Sequence, residues 1–255
     1  MDGLGTSLRD RIISALCRTL QQRTDVLAGW EGGSVAFDAA DEYSDMDLTF
    51  LVEDTESFEP LYTAAERAIA AVSPITVSYW EPPGRYYKLK DGGDFLLVDL
   101  CFLQKGSPDY CIDEERHGRV RTLFDKGEWL RSRPLDEAAV SFARAKRCHE
   151  LQAWFTLSQN FVRKAMYRGR EAEALSAFWG YTLKPLVQLL RMRHCPARWD
   201  FGMRYLERDL PQPVYQELRD LMYVRAPADL GAHLAKATAW GEQLLQELDL
   251  AKSDG

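Results

Sequence analysis

Two aspartates separated by a single residue, Asp45 and Asp47, begin an apolar segment in the stretch YSDMDLTFLVE. Residues two apart in an extended chain point to the same side, so these two carboxylates are expected to share one face. Crowded carboxylates repel one another, whereas a hard cation such as Mg2+ prefers oxygen ligands. The pair therefore indicates a metal clamp, although a turn before a strand is also an ordinary place for aspartate.

A third carboxylate, Asp99, lies within the apolar stretch FLLVDLCFL. An unpaired carboxylate in such a strand carries a heavy desolvation cost, so Asp99 needs a partner. A metal ion shared with Asp45 and Asp47 on a neighbouring strand is one such partner. Hydrogen bonds from the backbone or from an arginine are the alternative.

The tripeptide Gly32-Gly33-Ser34 follows the apolar segment DVLAGW. If it opens a helix, its backbone N–H groups and the Ser34 hydroxyl can approach phosphate oxygens, although the same tripeptide also forms simple turns. The order is then a strand, Gly-Ser, eleven residues between Gly33 and Asp45, Asp-x-Asp leading into a strand, and a later strand that carries Asp99.

This order resembles the nucleotidyltransferase superfamily that includes DNA polymerase beta, and most of all the bacterial aminoglycoside and other antibiotic nucleotidyltransferases. The likeness covers residues 26–100 and rests on GGSVA, YSDMDLTFLVE and FLLVDL. It implies that three carboxylates hold two Mg2+ ions while a glycine and a serine contact the triphosphate. The residues concerned are Asp45, Asp47 and Asp99 for the metals, and Gly33 and Ser34 for the triphosphate.

The activity that this resemblance implies is Mg2+-dependent adenylyl transfer, in which AMP passes from ATP to a hydroxyl of a small molecule. The metals would lower the pKa of the acceptor hydroxyl and stabilise in-line attack on the α-phosphorus. A protein-modifying or antitoxin-type nucleotidyltransferase and a non-catalytic nucleotide-binding module are the alternatives. DMDLT also matches the motifs of haloacid-dehalogenase-type phosphatases and some glycosyltransferases. Those enzymes need the motif after an apolar strand, whereas here the apolar run follows it.

The chain departs from the family in having no basic residue shortly after Ser34, where the sequence reads VAFD. A basic residue of the second half is expected to supply the missing phosphate contact. Lys184 is the first candidate, because the following Pro185 fixes the course of the helix. Glu150 is a candidate general base of the kind found in some relatives. Further candidates for the phosphate contact are Arg191, Arg198 and Arg204.

The pattern of elements predicts an α/β fold, with a mixed-sheet nucleotidyltransferase domain over residues 1–133 and an all-helical bundle over residues 134–255. Arg133-Pro134 marks the break between them. Helices are predicted over 7–23, 56–72, 135–167, 171–194, 211–224 and 228–249. Strands are predicted at DVLAGW, DLTFLVE, PITVSYWE, YYKLK, DFLLVDLCFL and within RVRTLFDKGEWL.

Charge is distributed unevenly along the chain, whose formal net charge is -7. Residues 1–133 hold 24 acidic and 15 basic side chains, whereas residues 144–208 hold 13 basic and 5 acidic ones. The segment Thr24–Glu66 has twelve acidic residues and no basic one. This segment favours a hydroxylated, cationic acceptor such as an aminoglycoside antibiotic, while the net charge argues against nucleic acid as a partner.

The sequence contains no apolar run of the roughly 20 residues that span a bilayer and no signal-peptide pattern, so a cytoplasmic protein without a membrane partner is expected. Its five cysteines include no CxxC pair, and its four histidines are dispersed. Free thiols are therefore expected rather than a zinc site.

Overall fold

The computed structural model describes residues 7–107 and 112–253, and the chain forms two compact units, Met1–Leu135 and Asp136–Gly255. The boundary predicted from the sequence, after residue 133, lies close to this division. Among the described residues, no helix is both long enough and apolar enough to cross a membrane.

The first unit alternates helices with strands. Its helix α1 begins as predicted, because the Ser7 hydroxyl accepts a hydrogen bond from the backbone N–H of Asp10 at 3.1 Å and caps the first turn. In chain order the elements are α1 Leu8–Leu20, β1 Val26–Glu31, α2 Gly33–Ala36, β2 Met46–Val52, α3 Glu59–Ala70, β3 Ile75–Glu81, β4 Gly84–Leu89, β5 Leu97–Gln104, β6 Ile112–Asp113, α4 Glu114–His117, β7 Arg121–Asp125 and β8 Ser132–Arg133.

Six of these strands form one sheet in the order β3-β4-β5-β2-β1-β7. Strands β2 and β5 run parallel, and every other neighbouring pair in this sheet is antiparallel. The prediction of a mixed sheet is therefore confirmed. The two-residue strands β6 and β8 form a separate parallel pair.

The two faces of this sheet differ. Alternate residues of β2 and β5, among them Leu48, Phe50 and Leu100, are fully buried and pack under α1 and α3 in the main core. A smaller apolar cluster that includes Trp30 and Leu51 lies apart from it. Because side chains alternate along a strand, Asp47 and Asp99 point away from the main core. The same alternation that builds the core thus leaves one face for chemistry.

In the described part of the second unit every regular element is helical, and the unit has its own core, which includes buried leucine, phenylalanine and alanine side chains. The four helical stretches predicted from the sequence are confirmed within a few residues at each end. The elements are α5 Glu137–Tyr167, α6 Glu171–Ala177, a π-helical segment Phe178–Leu183, α7 Lys184–His194, a 3-10 turn Pro196–Arg198, α8 Leu206–Asp209, α9 Gln212–Met222, a 3-10 turn Pro227–Asp229 and α10 Leu230–Ser253.

Candidate active site

Asp47 and Asp99 are direct neighbours in the sheet. The parallel register of β2 and β5 pairs Met46 with Val98, Asp47 with Asp99 and Leu48 with Leu100. The two aspartates are half-buried, while the residues that flank them are fully buried on the opposite face. Two carboxylates, 52 positions apart in sequence, are thus brought side by side on one surface of the first unit.

Gly33 lies directly against the carboxylate of Asp47. Its φ of 56° is in the left-handed region, and a Cβ at this position would stand 1.6 Å from Asp47 Oδ2. Glycine is required here for both reasons, because a side chain would be strained and would overlap the carboxylate. The backbone N–H of Gly32 also donates to the carbonyl oxygen of Asp47 at 2.8 Å. The Gly-Gly turn therefore holds the Asp47 segment in place from the side of α2.

Ser34 presents a buried hydroxyl that has no hydrogen-bond partner among the described residues. It belongs to α2, which is fixed at its end by a hydrogen bond from the backbone N–H of Arg119 to the carbonyl oxygen of Ala36 at 2.7 Å. A buried hydroxyl without a partner costs stability unless a ligand satisfies it. The Ser34 hydroxyl therefore fits a position that a polar ligand would complete.

Asp99 is bordered on its other side by β4. The register pairs Asp99 with Tyr86, and a Cβ on Gly84 would stand 3.1 Å from Asp99 Oδ1. Burial raises the pKa of Tyr86 to about 12, together with the negative charge of Asp99 and a hydrogen bond to it; Glu81 and Asp47 add to the rise. Tyr86 thus remains neutral at neutral pH.

The sequence does not predict the contributions of Gly84 and Tyr86. The positions of Gly84 and Tyr86 beside Asp99 depend on the register between β4 and β5, and the hydrophobic pattern of each separate strand does not predict that register. The one signal in the sequence is the glycine that follows Pro82-Pro83, where a close backbone approach is common.

Asp45 precedes β2 and is half-buried at the end of the irregular segment 37–45. In the described part of the chain, no three acidic, histidine or cysteine side chains are grouped closely enough to hold a metal ion. A nucleotide-bound Mg2+ takes one or two carboxylates and completes its shell with phosphates and water, so a three-carboxylate cage is not needed beforehand. The donor set of paired carboxylates beside an unsatisfied hydroxyl fits such an ion.

The basic candidates of the second unit differ from one another in their surroundings. Lys184 is exposed at the start of α7, directly after the π-helical segment, and its role as a phosphate contact stays a prediction. Arg191, in contrast, is fully buried, pairs with Asp209 at 2.9 Å and donates to the carbonyl oxygen of Gly202 at 2.8 Å. The idea that Arg191 contacts phosphate is therefore wrong, because its guanidinium is committed to the core of its own unit.

The other two arginines and the candidate base can also be located. Arg198 shares the carboxylate of Asp209, at 2.8 Å. Arg204 is exposed, and its carbonyl oxygen accepts a hydrogen bond from Arg191. Glu150, on α5, is exposed and pairs with Arg147 at 2.9 Å. None of these contacts assigns a catalytic role to Glu150, which stays a prediction.

The acidic segment Thr24–Glu66 is partly neutralised by basic residues from other parts of the first unit. At least five of its twelve acidic side chains form ion pairs with residues that the structure describes. They are Asp25 with Arg23, Glu31 with Arg9 and Arg121, Glu53 with Lys105, and Glu59 and Glu66 with Arg85. Asp41 and Glu42, in the loop that leads to Asp45, are exposed and form no such pair within the described residues. The charge available to a cationic ligand is thus smaller than the sequence suggests, and part of it lies in this loop.

No protein-family model matches the sequence, and no curated protein matches it. The solved structures with a distant likeness include the following two. The spectinomycin adenyltransferase AAD(9) from Enterococcus faecialis, in a crystal structure with ATP and spectinomycin, has 9% identity and a TM-score of 0.39, over 93% of this chain and 98% of that one. The Bradyrhizobium diazoefficiens CD-NTase CdnG, in complex with GTP, has 13% identity and a TM-score of 0.31, over 94% and 91%. Likeness at this level determines neither activity nor ligand, and the function has to be argued from the residues themselves.

Proposed function

We propose that this chain is a Mg2+-dependent nucleotidyltransferase that moves AMP from ATP to a hydroxyl of a small cationic molecule. One observation carries the proposal: Asp47 and Asp99 stand side by side in register, with Gly33 against the first and the unsatisfied hydroxyl of Ser34 on the adjoining turn. The sequence motif GGS…SDMD…VD has the order of the antibiotic nucleotidyltransferases and supports the same reading.

In this proposal the residues of the first unit bind and orient the reactants. The Ser34 hydroxyl donates a hydrogen bond to a phosphate oxygen, and the absence of a side chain at Gly33 lets the backbone approach the triphosphate closely. Asp47 and Asp99, with Asp45, provide the carboxylate oxygens for Mg2+, which when bound lowers the pKa of the acceptor hydroxyl and stabilises charge on the phosphates.

The transfer needs no covalent enzyme intermediate. The acceptor hydroxyl loses its proton to water, its oxygen forms a bond to the α-phosphorus, and the bond between the α-phosphorus and the bridging oxygen breaks to release pyrophosphate. The chain therefore contributes positioning and electrostatics rather than a nucleophile of its own.

The acceptor that we propose is hydroxylated and cationic, of the aminoglycoside type, which would make the protein an antibiotic-resistance enzyme. The exposed carboxylates of Asp41 and Glu42 support this choice, because they lie in the loop that leads directly to Asp45 and form no ion pair with any residue that the structure describes. The double variant Asp41→Asn/Glu42→Gln is expected to raise the KM for a cationic acceptor and to leave the KM for ATP unchanged.

The decisive experiment incubates the protein with Mg2+ and ATP labelled on the α-phosphorus against a panel of aminoglycosides, lincosamides and candidate proteins. Label on a small molecule together with pyrophosphate release supports the proposal, and label on a protein favours the protein-modifying alternative. Binding of ATP without release of pyrophosphate, for every acceptor and nucleoside triphosphate, favours a binding module. The matched variants are Asp47→Asn, expected to abolish turnover, and Asp54→Asn, at an exposed residue two positions beyond the end of β2, expected to leave it intact.

A further inference from the structure

A fully buried carboxylate, Glu31, ends strand β1 between two arginines. Its oxygen atoms pair with Arg9 from α1 and with Arg121 from β7, and the exposed fraction of its side chain is 0%. A carboxylate at this depth is tolerated only when it is paired and hydrogen-bonded. The sequence offers a signal for Glu31 that resembles the one for Asp99, because Glu31 is the only charged residue of the buried strand VLAGWE.

The same guanidinium of Arg9 reaches the segment that precedes β2. Its Nη2 atom pairs with Glu31, whereas its Nη1 atom donates to the carbonyl oxygen of Asp45 at 2.9 Å and to that of Ser44 at 3.4 Å. Arg9 therefore links α1, the end of β1 and the backbone at Asp45. A planar guanidinium with donors in a fixed fork is suited to such a three-way link.

This link approaches Asp45 from the face opposite the paired aspartates. Glu31 is in register with Leu48, whose side chain belongs to the main core, while Asp47 and Asp99 point away from that core. The strand pairing of β2 begins at Met46, so Asp45 lies outside the sheet register that fixes Asp47. The position of Asp45 thus depends on something other than the sheet.

We propose that Arg9 is a positioning residue for Asp45, held in place by the buried Glu31, and that it sets the affinity of the site for a divalent cation without touching the cation. The inference rests on the proposed function, because it takes Asp45 as a metal ligand. Arg9 lies outside the sequence motif, on helix α1, which carries none of the proposed metal ligands. Loss of Arg9 would loosen Asp45 and leave Asp47 and Asp99 in register.

The test compares the same substitution at the two arginines that share Glu31. Arg9→Lys keeps the positive charge, but a single ammonium group on a flexible stem cannot span Glu31 and two carbonyl oxygens. Arg121→Lys removes the other guanidinium from Glu31, and the hydrogen bonds between described residues include none from Arg121 to the backbone of Asp45. A structural role alone would lower the thermal stability in both variants without separating them in metal affinity.

The readout is Mn2+ binding, measured by electron paramagnetic resonance in the presence of a non-hydrolysable ATP analogue, at a temperature at which every variant is folded. Arg9→Lys is expected to weaken Mn2+ binding about tenfold, in the range found when residues that orient metal ligands are changed. Arg121→Lys is expected to stay close to the unmodified protein. In turnover assays, Arg9→Lys should raise the Mg2+ concentration for half-maximal rate while the rate at saturating Mg2+ changes little.

The outcomes separate this inference from the proposed function. If Asp45→Asn weakens Mn2+ binding while Arg9→Lys and Arg121→Lys bind Mn2+ equally well, the positioning role is overturned and the metal assignment stands. If Asp45→Asn leaves Mn2+ binding unchanged, or if the unmodified protein with the analogue binds no Mn2+, the metal assignment fails and the positioning role fails with it.

Should Arg9→Lys fail to fold, Glu31→Gln takes its place. This variant retains Arg9 and its donors but removes the charge that holds the guanidinium, so Mn2+ binding is expected to weaken by a few-fold. Unchanged Mn2+ binding in folded Glu31→Gln overturns the proposal.

Discussion

The substitution Gly33→Ala tests whether the placement of the Asp47 carboxylate controls turnover. An alanine Cβ at residue 33 would stand 1.6 Å from Asp47 Oδ2 and 2.4 Å from its Cγ. An ordinary contact between carbon and oxygen is about 3.3 Å, so the carboxylate has to move by about 1.7 Å or the turn has to deform. Either change displaces Asp47 from its register with Asp99.

The magnitude of the effect follows from this displacement. Misplacing a reacting group by about 1 Å reduces the rate about 100-fold, so Gly33→Ala is expected to lose at least about 100-fold in kcat/KM, or about 2.7 kcal/mol. The left-handed φ of 56° adds a backbone cost of about 1–2 kcal/mol to the free energy of folding. The catalytic loss should therefore exceed what the loss of stability explains.

A matched control separates the overlap from the backbone strain. Gly93 has a φ of 67°, but a Cβ there would meet no atom within 4 Å. Gly93→Ala should thus lower the free energy of unfolding by the backbone strain alone, about 1–2 kcal/mol, while leaving pyrophosphate release within about twofold of the unmodified protein. Chemical denaturation and steady-state rates are measured on both variants. Equal rates in Gly33→Ala and Gly93→Ala would refute the role given to Asp47.

Three further substitutions have expected outcomes. Ser34→Ala should raise the KM for ATP about tenfold. It should leave the free energy of unfolding unchanged or up to about 1 kcal/mol higher, because it removes a buried hydroxyl that has no partner among the described residues. An unaltered KM in an ATP titration, together with a lower free energy of unfolding by denaturation, would contradict this. Asp99→Asn should abolish turnover. It should also raise the unfolding free energy of the metal-free protein by up to about 1 kcal/mol, because Asp99 lies directly opposite Asp47 in the sheet and like charges repel. A lower melting temperature of this variant would argue against that repulsion. In the second unit, burial raises the pKa of Asp209, but hydrogen bonds from Arg198 and Arg191 outweigh this effect and hold the pKa below its ordinary value of 3.8. The stabilisation that ionised Asp209 provides is therefore present above pH 3.8 and is lost as the pH falls through the lowered pKa. Asp209→Asn is therefore expected to cost about 3 kcal/mol at pH 7 and progressively less below pH 4, as followed by denaturation between pH 7 and 3.

The class and order of the elements could be read from the sequence because they depend on local patterns. Alternating apolar residues identify β2, and a capping serine before an amphipathic run identifies α1. The pairing of Asp47 with Asp99 was accessible in outline, since both lie in apolar strands that need a shared partner. The exact register that makes Asp47 and Asp99 direct neighbours could not be predicted, because hydrophobic patterns do not specify which strands pair.

The residues that sequence reasoning missed depend on long-range contacts. In the sequence, Arg9 is one of several charged residues on the polar face of an amphipathic helix. Its role becomes visible only in the fold, where it pairs with Glu31 at the end of β1. For Arg191 the sequence suggested a functional role that the structure does not support. A basic cluster in the sequence is typical of a ligand-binding surface, whereas the guanidinium of Arg191 pairs with Asp209 in the core. A charge in a sequence therefore has no fixed role until its partner in the fold is known.

Part of the negative charge of the first unit is compensated within the fold. The carboxylates of Glu31 and Glu66 pair with arginines from other elements. Near Asp47 and Asp99, the pKa of Tyr86 is raised first by burial and then by the charges of Asp99, Glu81 and Asp47, so several acids lie close together there. A cation that binds the folded chain and not the unfolded one stabilises the fold. The thermal stability of this protein should accordingly rise with Mg2+ and nucleotide, and the rise should vanish in Asp47→Asn while it persists in Asp54→Asn.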